Sequence, residues 1–120
     1  VYAGLTKDDP RVQQAWKWIK DTWTLNKNPG SPDSQGEMGL YYYLHTFAKT
    51  LHITDETIVV DAKGVPHNWR LELANKLAAA QKPDGKFVNN TETQAGQRWM
   101  EANPTLVTAY MVLALQEAQK

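Results

Sequence analysis

The stretch that decides the fold runs from 81 to 87 and reads Gln81-Lys82-Pro83-Asp84-Gly85-Lys86-Phe87. Asp84 and Gly85 suit a tight turn, because aspartate bonds nearby amides and glycine accepts a positive φ angle. Phe87 can fold back against a preceding helix, and Gln81 can bond the exposed carbonyls at that helix's end. We therefore predict that Gln81, Asp84, Gly85 and Phe87 are structural residues that brace a helical hairpin, rather than ligand contacts.

Two segments before this stretch have helical periodicity. Asp8 or Asp9 can cap a first helix that has Pro10 at its first position. Its apolar residues recur at spacings of three and four, which predicts one stripe on an amphipathic, peripheral helix: Val12, Trp16, Ile19 and Trp23. We expect this helix to end near Leu25. A second segment, 37–51, is apolar around nearly its whole circumference, which is typical of a buried helix.

The segments nearer the carboxyl end again include one amphipathic helix and one apolar helix, preceded by a short β-hairpin. β-Branched residues at 58–60 and 65 flank a turn-like tetrad, which predicts a short β-hairpin near 58–65. An amphipathic helix is predicted over about 68–81, and a helical turn over 97–102. A fourth helix opens at Asn103-Pro104, a cap followed by proline, and is again apolar nearly all round. We expect it to be buried.

The pattern of amphipathic and buried segments predicts an all-α fold of two helical hairpins in two layers. A weak internal echo supports this interpretation, because four positions of the second helix share their spacing with four of the fourth: Leu40, Leu44, Phe47 and Ala48 with Leu106, Tyr110, Leu113 and Ala114. Arrays of this kind commonly need about three or more repeats. We therefore expect residues 1–120 to form one repeat domain that is a fragment of a longer protein.

Composition excludes several classes of function. The 120 residues carry 13 basic and 13 acidic side chains without a basic stripe, so nucleic acid is not an expected partner. Cysteine is absent, which removes thiolate nucleophiles and sulfur ligands for zinc. The most apolar stretch, 106–115, is about half of the ~20 residues that span a bilayer. We expect no transmembrane segment, and the compartment stays open.

Several segments resemble the prenyltransferase and squalene-oxidase repeat family. Segment 81–87 is similar to its Gln-x-x-Asp-Gly-x-Trp repeat signature, with Phe87 where tryptophan is usual. Four further segments look like bacterial members of the superfamily: Asp8-Asp9-Pro10-Arg11-Val12 with Trp16 and Ile19, Gly39-Leu40-Tyr41-Tyr42-Tyr43, His67-Asn68-Trp69-Arg70, and Asn103-Pro104 with Leu106-Val107-Thr108-Ala109-Tyr110. The resemblance covers most of the chain. It implies an α/α toroid of concentric inner and outer helices, as in terpenoid cyclases and protein prenyltransferases.

The catalytic features of that superfamily are missing from this sequence. The cyclases hold their acid in an Asp-x-Asp-Asp cluster, and the only adjacent aspartates here, Asp8 and Asp9, are placed to cap a helix. The zinc site of the prenyltransferases includes a cysteine. His45 and His52 are seven apart, and His67 could approach Asp61, but neither is a compact metal-ligand spacing. We predict no catalytic residue, no metal site and no cofactor within this chain.

Aromatic residues on the two apolar helices are the remaining chemical cue. Four of them are candidates for lining a cavity: Tyr41, Tyr43, Phe47 and Tyr110. Aromatic faces can stabilise carbocations in a water-poor cavity. At about 100° per residue, however, the three consecutive tyrosines from 41 to 43 cannot all face one cavity. Core packing is the favoured role for these side chains.

Two functions from different classes follow. The first is a noncatalytic helical repeat module whose exposed apolar or aromatic face binds a partner chain, a second copy or the remaining repeats of its parent protein. The alternative, implied by the resemblance, is a part of an isoprenoid- or polyene-processing enzyme whose catalytic residues lie elsewhere. In that case an isoprenoid or another apolar molecule would be the ligand.

Overall fold

The computed structural model describes residues 4–120 and is mainly helical. Its five α-helices are α1 (Pro10–Asp21), α2 (Leu40–Thr54), α3 (Trp69–Ala80), the short α4 (Gln94–Gln97) and α5 (Pro104–Gln119). Two strands, β1 (Ile58–Val60) and β2 (Pro66–Asn68), form one antiparallel sheet, and short 3-10 helices occupy Asp33–Gln35 and Arg98–Met100. The helical fold and the small hairpin are thus as predicted. No helix in the described part of the chain combines the length and apolarity needed to cross a membrane.

Helix α1 begins as its capping signal predicts and ends earlier than expected. The Asp9 Oδ1 atom accepts a hydrogen bond from the Arg11 amide at 2.9 Å, with Pro10 at the first helical position. The helix ends at Asp21 and not near Leu25, so that boundary was wrong. Leaving the helix allows Leu25 to become buried and Trp23 to pack on the core. No residue of α1 is buried, which confirms a peripheral helix.

Helices α2 and α5 run side by side in the same direction. The ring of Tyr42 in the first turn of α2 meets that of Tyr110 in the middle of α5 edge to face, with centroids 5.8 Å apart, and farther along both helices His52 Nε2 lies 3.7 Å from a carboxylate oxygen of Glu117. No other pair of elements packs as extensively. The two apolar helices predicted from the sequence therefore form a parallel pair.

The two amphipathic helices run in the opposite direction. At the start of α3, the Arg70 guanidinium donates to the carbonyl of Glu117 near the end of α5. Just beyond the end of α1, the indole of Trp23 meets the Phe47 ring of α2 edge to face at 5.2 Å. Helix α3 thus runs antiparallel to α5. Helix α1 runs antiparallel to α2, because Lys7 before α1 lies 3.8 Å from Glu56 after α2, while Tyr43 near the start of α2 donates to Thr24 after α1.

The core lies between α2, α3 and α5, with contributions from β1 and from residues 25 and 87. Its buried apolar members are Leu25, Tyr41, Leu44, Phe47, Ala48, Leu51, Val59, Trp69, Leu73, Leu77, Phe87, Val107, Met111 and Ala114. The expectation of a buried fourth helix holds for one side of α5, where Val107, Met111 and Ala114 are fully buried, and is wrong for the other, where Val112 and Leu113 are 48% and 45% exposed. The internal echo extends to burial only in part: Ala48 and Ala114 are both fully buried, whereas Phe47 is 5% exposed and its counterpart Leu113 is not buried.

The β-hairpin joins α2 to α3. Val59 pairs with His67 in the register, and the second strand begins at Pro66, one residue after the predicted limit. Val65 remains in the turn because its amide and that of Lys63 both bond Oδ1 of Asp61, at 2.8 and 2.9 Å. The predicted helical turn over 97–102 is present as the 3-10 helix Arg98–Met100, which the short helix α4 directly precedes.

Candidate functional site: the outer face of helix α5

The side of α5 that points away from the core carries a row of exposed residues. We name this row the α5 outer face: Thr105, Ala109, Val112, Leu113 and Gln116. Spacings of three and four place these residues on one side of the helix. Val112 and Leu113 alone expose nearly half of their surface. The apolar members of this face, Ala109, Val112 and Leu113, therefore form a stripe in the middle of α5 with nothing packed on it among the described residues.

Helix α2 provides the natural comparison, because it too is apolar around most of its circumference. Its exposed positions carry Tyr42, Lys49 and Thr50, side chains that end in polar groups. Of these, Tyr42 is 54% exposed, and its ring already contacts Tyr110. The exposed side of α2 is thus suited to water, whereas that of α5 is not.

Imidazole and aromatic rings line the seam where α2 meets α5. The rings of His45 and Tyr110 stack with centroids 5.6 Å apart. Burial lowers the pKa of His45, Lys49 lowers it further, and the charge of Glu117 opposes both. The Nδ1 atoms of His45 and His52 have no hydrogen-bond partner among the described residues. The seam therefore packs the two helices mainly through ring contacts.

The four predicted cavity-lining aromatics do not share one surface. Tyr41 and Phe47 are buried in the core, while Tyr110 lies in the seam. Tyr43 donates its hydroxyl proton to the carbonyl of Thr24 at 2.8 Å, and burial raises its pKa to about 12. Tyr41, Tyr42 and Tyr43 point in three directions, as the helical period requires. A role in lining a ligand cavity stays a prediction.

Contacts within the protein occupy the residues of the 81–87 signature. Gln81 donates its side-chain amide to the carbonyl of Gly85 at 2.9 Å, and Asp84 Oδ1 accepts from the Lys86 amide at 3.2 Å. Gly85 has φ +83°, a conformation in which a side chain would be strained. Phe87 is 3% exposed, and its amide donates to the Thr108 hydroxyl at 3.0 Å. The loop thereby connects the end of α3 to the middle of α5.

A buried carboxylate that sequence reasoning missed holds the start of α2. Glu101 is fully buried; its Oε1 atom accepts from the Tyr42 amide at 2.8 Å, and Oε2 accepts from the Asn89 side chain at 2.6 Å. Burial raises the pKa of Glu101, and hydrogen bonds from the amides of α2 oppose that shift. Glu101 thus replaces a local cap, since the residue before α2 is Gly39. The absence of a capping side chain before α2 was the signal in the sequence that a distant residue must bond the first amides of this helix.

The histidine and aspartate that the sequence suggested could approach each other do so. His67 Nε2 lies 3.4 Å from an oxygen of Asp61, while Nδ1 lies 2.9 Å from an oxygen of Glu72. The Trp23 ring stacks on the imidazole at 4.5 Å. The carboxylates engage different ring nitrogens, so they do not converge on one point. Residues 4–120 contain no group of three or more histidine, aspartate or glutamate residues arranged to hold a metal ion.

An apolar groove lies between α1 and the end of α2. Its volume is about 450 Å³, within the usual range for sites that take a small molecule or a side-chain cluster. Its apolar lining residues are Leu5, Val12, Ala15, Trp16, Ile19 and Ile53. Lys7 and Glu56 lie at its rim, 3.8 Å apart. None of the four predicted cavity-lining aromatics lines this groove.

Comparison with known proteins gave no match: no family model fits the sequence, and no curated protein or solved structure is significantly similar to the chain.

Proposed function

We propose that the chain is a noncatalytic helical repeat module of the kind found in the prenyltransferase and squalene-oxidase repeat family. Its function in this proposal is packing: the α5 outer face binds a further helical hairpin. The observation that carries the proposal is an apolar stripe, including Val112 and Leu113, exposed on a helix whose sequence is apolar nearly all round. Such helices are normally covered on every side.

The arrangement of the helices supports a partner of this shape. Helices α2 and α5 form a parallel inner pair, with α1 and α3 antiparallel to them, which is the arrangement that successive repeats of an α/α toroid would have. The small residues Thr105 and Ala109 on the α5 outer face allow another helix to approach closely. A further hairpin would place its inner helix beside α5 as α5 lies beside α2. It would come from the rest of the parent protein or from a second copy.

The test substitutes two exposed residues of this face by polar ones and leaves the core residues unchanged. We expect the wild type to bind a dye that fluoresces on exposed apolar surface, and the Val112→Gln/Leu113→Gln variant to bind much less of it. Stability should change by no more than about 0.5 kcal/mol, because both side chains are largely exposed. Dye fluorescence and the denaturation midpoint are measured on the same samples.

A matched control is available on α3, where Leu71 is 58% exposed. Leu71→Gln removes an exposed leucine that belongs to no stripe, so dye binding should stay near that of the wild type. Equal dye binding by the wild type and the double variant would contradict the proposal, as would a wild type that binds no dye.

A further inference from the structure

The apolar stripe of α1 borders an open space as well as the core. Trp16 and Ile19 touch the core from the side, yet no residue of α1 is buried. Val12, Trp16 and Ile19 line the groove between α1 and the end of α2, and Ile53 lines it from α2. We name this space the α1/α2 groove. The protein itself therefore covers only part of the stripe that the sequence predicts on α1.

The threonine side chains of the α1/α2 groove are bonded within α2. Thr50 donates its hydroxyl proton to the carbonyl of Thr46 at 2.8 Å. Thr54 donates its hydroxyl proton to the carbonyl of Leu51, also at 2.8 Å. A hydroxyl has one proton, so neither threonine keeps a donor for a bound molecule. The described α2 wall of the groove therefore offers mainly apolar contact.

The charged and amide side chains at the groove also have partners within the protein. Lys7 Nζ lies 3.8 Å from a carboxylate oxygen of Glu56, and Arg11 donates to both carboxylate oxygens of Asp9, at 3.0 and 2.9 Å. Gln13 donates its side-chain amide to the carbonyl of Lys7 at 2.6 Å. The two cations and the two carboxylates balance. A charged ligand would lose water in the groove without meeting an unpaired charge among these residues.

We propose that the α1/α2 groove binds an uncharged small molecule that is mainly hydrocarbon. The volume of about 450 Å³ lies within the usual range for such sites, and half of the lining residues are apolar. A peptide segment suits the groove less well, because its backbone amides and carbonyls would need hydrogen-bond partners there. The groove is separate from the α5 outer face, so this site does not depend on the function proposed above.

Three molecules that share a decyl chain test the chemistry of the site: decanol, decanoate and decyltrimethylammonium. The indole N–H signal of Trp16 in NMR spectra, assigned with the Trp16→Phe variant, reports occupation of the groove. Decanol should shift this signal saturably, with a dissociation constant at least about tenfold lower than that of either charged molecule. The signal of Trp99 should not move, because that ring lies beside Gly39 at the other end of α2.

Two variants alter the groove in different ways. Ala15→Phe adds a ring to the groove from an exposed position of α1, and Val12→Asp adds a charge to its apolar wall. Aspartate in the first turn of a helix is favourable, so Val12→Asp should keep α1 intact. Each variant should raise the dissociation constant of decanol at least about tenfold. Ala78→Phe, at an exposed position of α3, is the matched control and should bind decanol like the wild type.

The Val112→Gln/Leu113→Gln variant separates this site from the α5 outer face. It should bind decanol like the wild type, even if the dye experiment on the α5 outer face fails. Loss of decanol binding in this variant would overturn the proposal. So would a Trp16 signal that shows no saturable shift up to the solubility limit of decanol, binding of a charged molecule as tight as that of decanol, or unchanged decanol binding in Ala15→Phe and Val12→Asp.

Discussion

Helices α2 and α5 are both rich in apolar residues, yet the residues on their exposed sides differ. Both are apolar nearly all round, both contribute to one core, and they run parallel to each other. The solvent side of α2 carries Lys49 and Thr50, whereas that of α5 carries Ala109, Val112 and Leu113. The comparison teaches that the few residues on the exposed side decide whether a mostly apolar helix is suited to water there, and those of α5 are mainly apolar.

The two helices also begin differently. Asn103 caps α5 locally, with its Oδ1 atom accepting from the Thr105 amide at 3.0 Å. The start of α2 has Gly39 at the capping position and depends on Glu101, which is distant in sequence. Helix α5 can therefore begin from local signals, whereas the beginning of α2 requires the tertiary fold.

The largest expected effect concerns the residue that ties α5 to the 81–87 loop. Phe87→Ala should lower the free energy of unfolding by about 3–5 kcal/mol, because it removes a buried ring and leaves a cavity beside α5. Urea denaturation followed by tryptophan fluorescence measures the change. Val65→Ala, at an exposed position in the β-hairpin turn, is the control and should change stability little. An unchanged transition for Phe87→Ala would contradict the bracing role.

A pair of substitutions compares the two helix starts directly. Asn103→Ala should cost about 1 kcal/mol, the usual loss for a local cap. Glu101→Ala should cost about 2–3 kcal/mol, because it removes the acceptor of the first amides of α2 and one of the two acceptors of the Asn89 side-chain amide in a buried place. Equal losses in the same denaturation experiment would show that the start of α2 does not depend on its distant cap.

The smallest effect is a dependence of stability on pH that the start of α2 should show and the asparagine-capped start of α5 should not. Burial raises the pKa of Glu101 above its ordinary value of 4.5, so the folded state binds this proton more tightly than the unfolded state does. The resulting stabilisation is complete below pH 4.5 and is lost as the pH rises through the folded-state pKa.

Unfolding of the wild type and of Glu101→Gln, measured from acidic to neutral pH, isolates this contribution. Glutamine keeps the size of the side chain and cannot ionise, so the stability of the wild type relative to the variant should fall as the pH rises. Asp9 and Glu117, whose pKa values are lowered, are present in both proteins, so their contributions to stability cancel in the difference. A difference that is constant with pH, or that rises, would contradict a raised pKa of Glu101 in the folded state.

Local signals predicted the parts of the fold that depend on a few neighbouring residues. The starts of α1 and α5 lie where aspartate or asparagine precedes proline, and the β-hairpin lies where β-branched residues flank a turn tetrad. The end of α1 was missed because the packing of Trp23 on Phe47 outweighs the helical periodicity there. Tertiary contacts override a local pattern whenever they bury more apolar surface than helix continuation would.

The candidate site was predicted only in part. An exposed apolar face was expected, but no periodicity indicates which side of an all-round apolar helix remains uncovered. The sequence by itself determined the helical class, the helix starts and the direction in which each of the three tyrosines points, because each depends on bonding or geometry within a few residues. Only the tertiary structure decided that α5 has an open side and that Glu101 caps α2, because each depends on residues far apart in sequence.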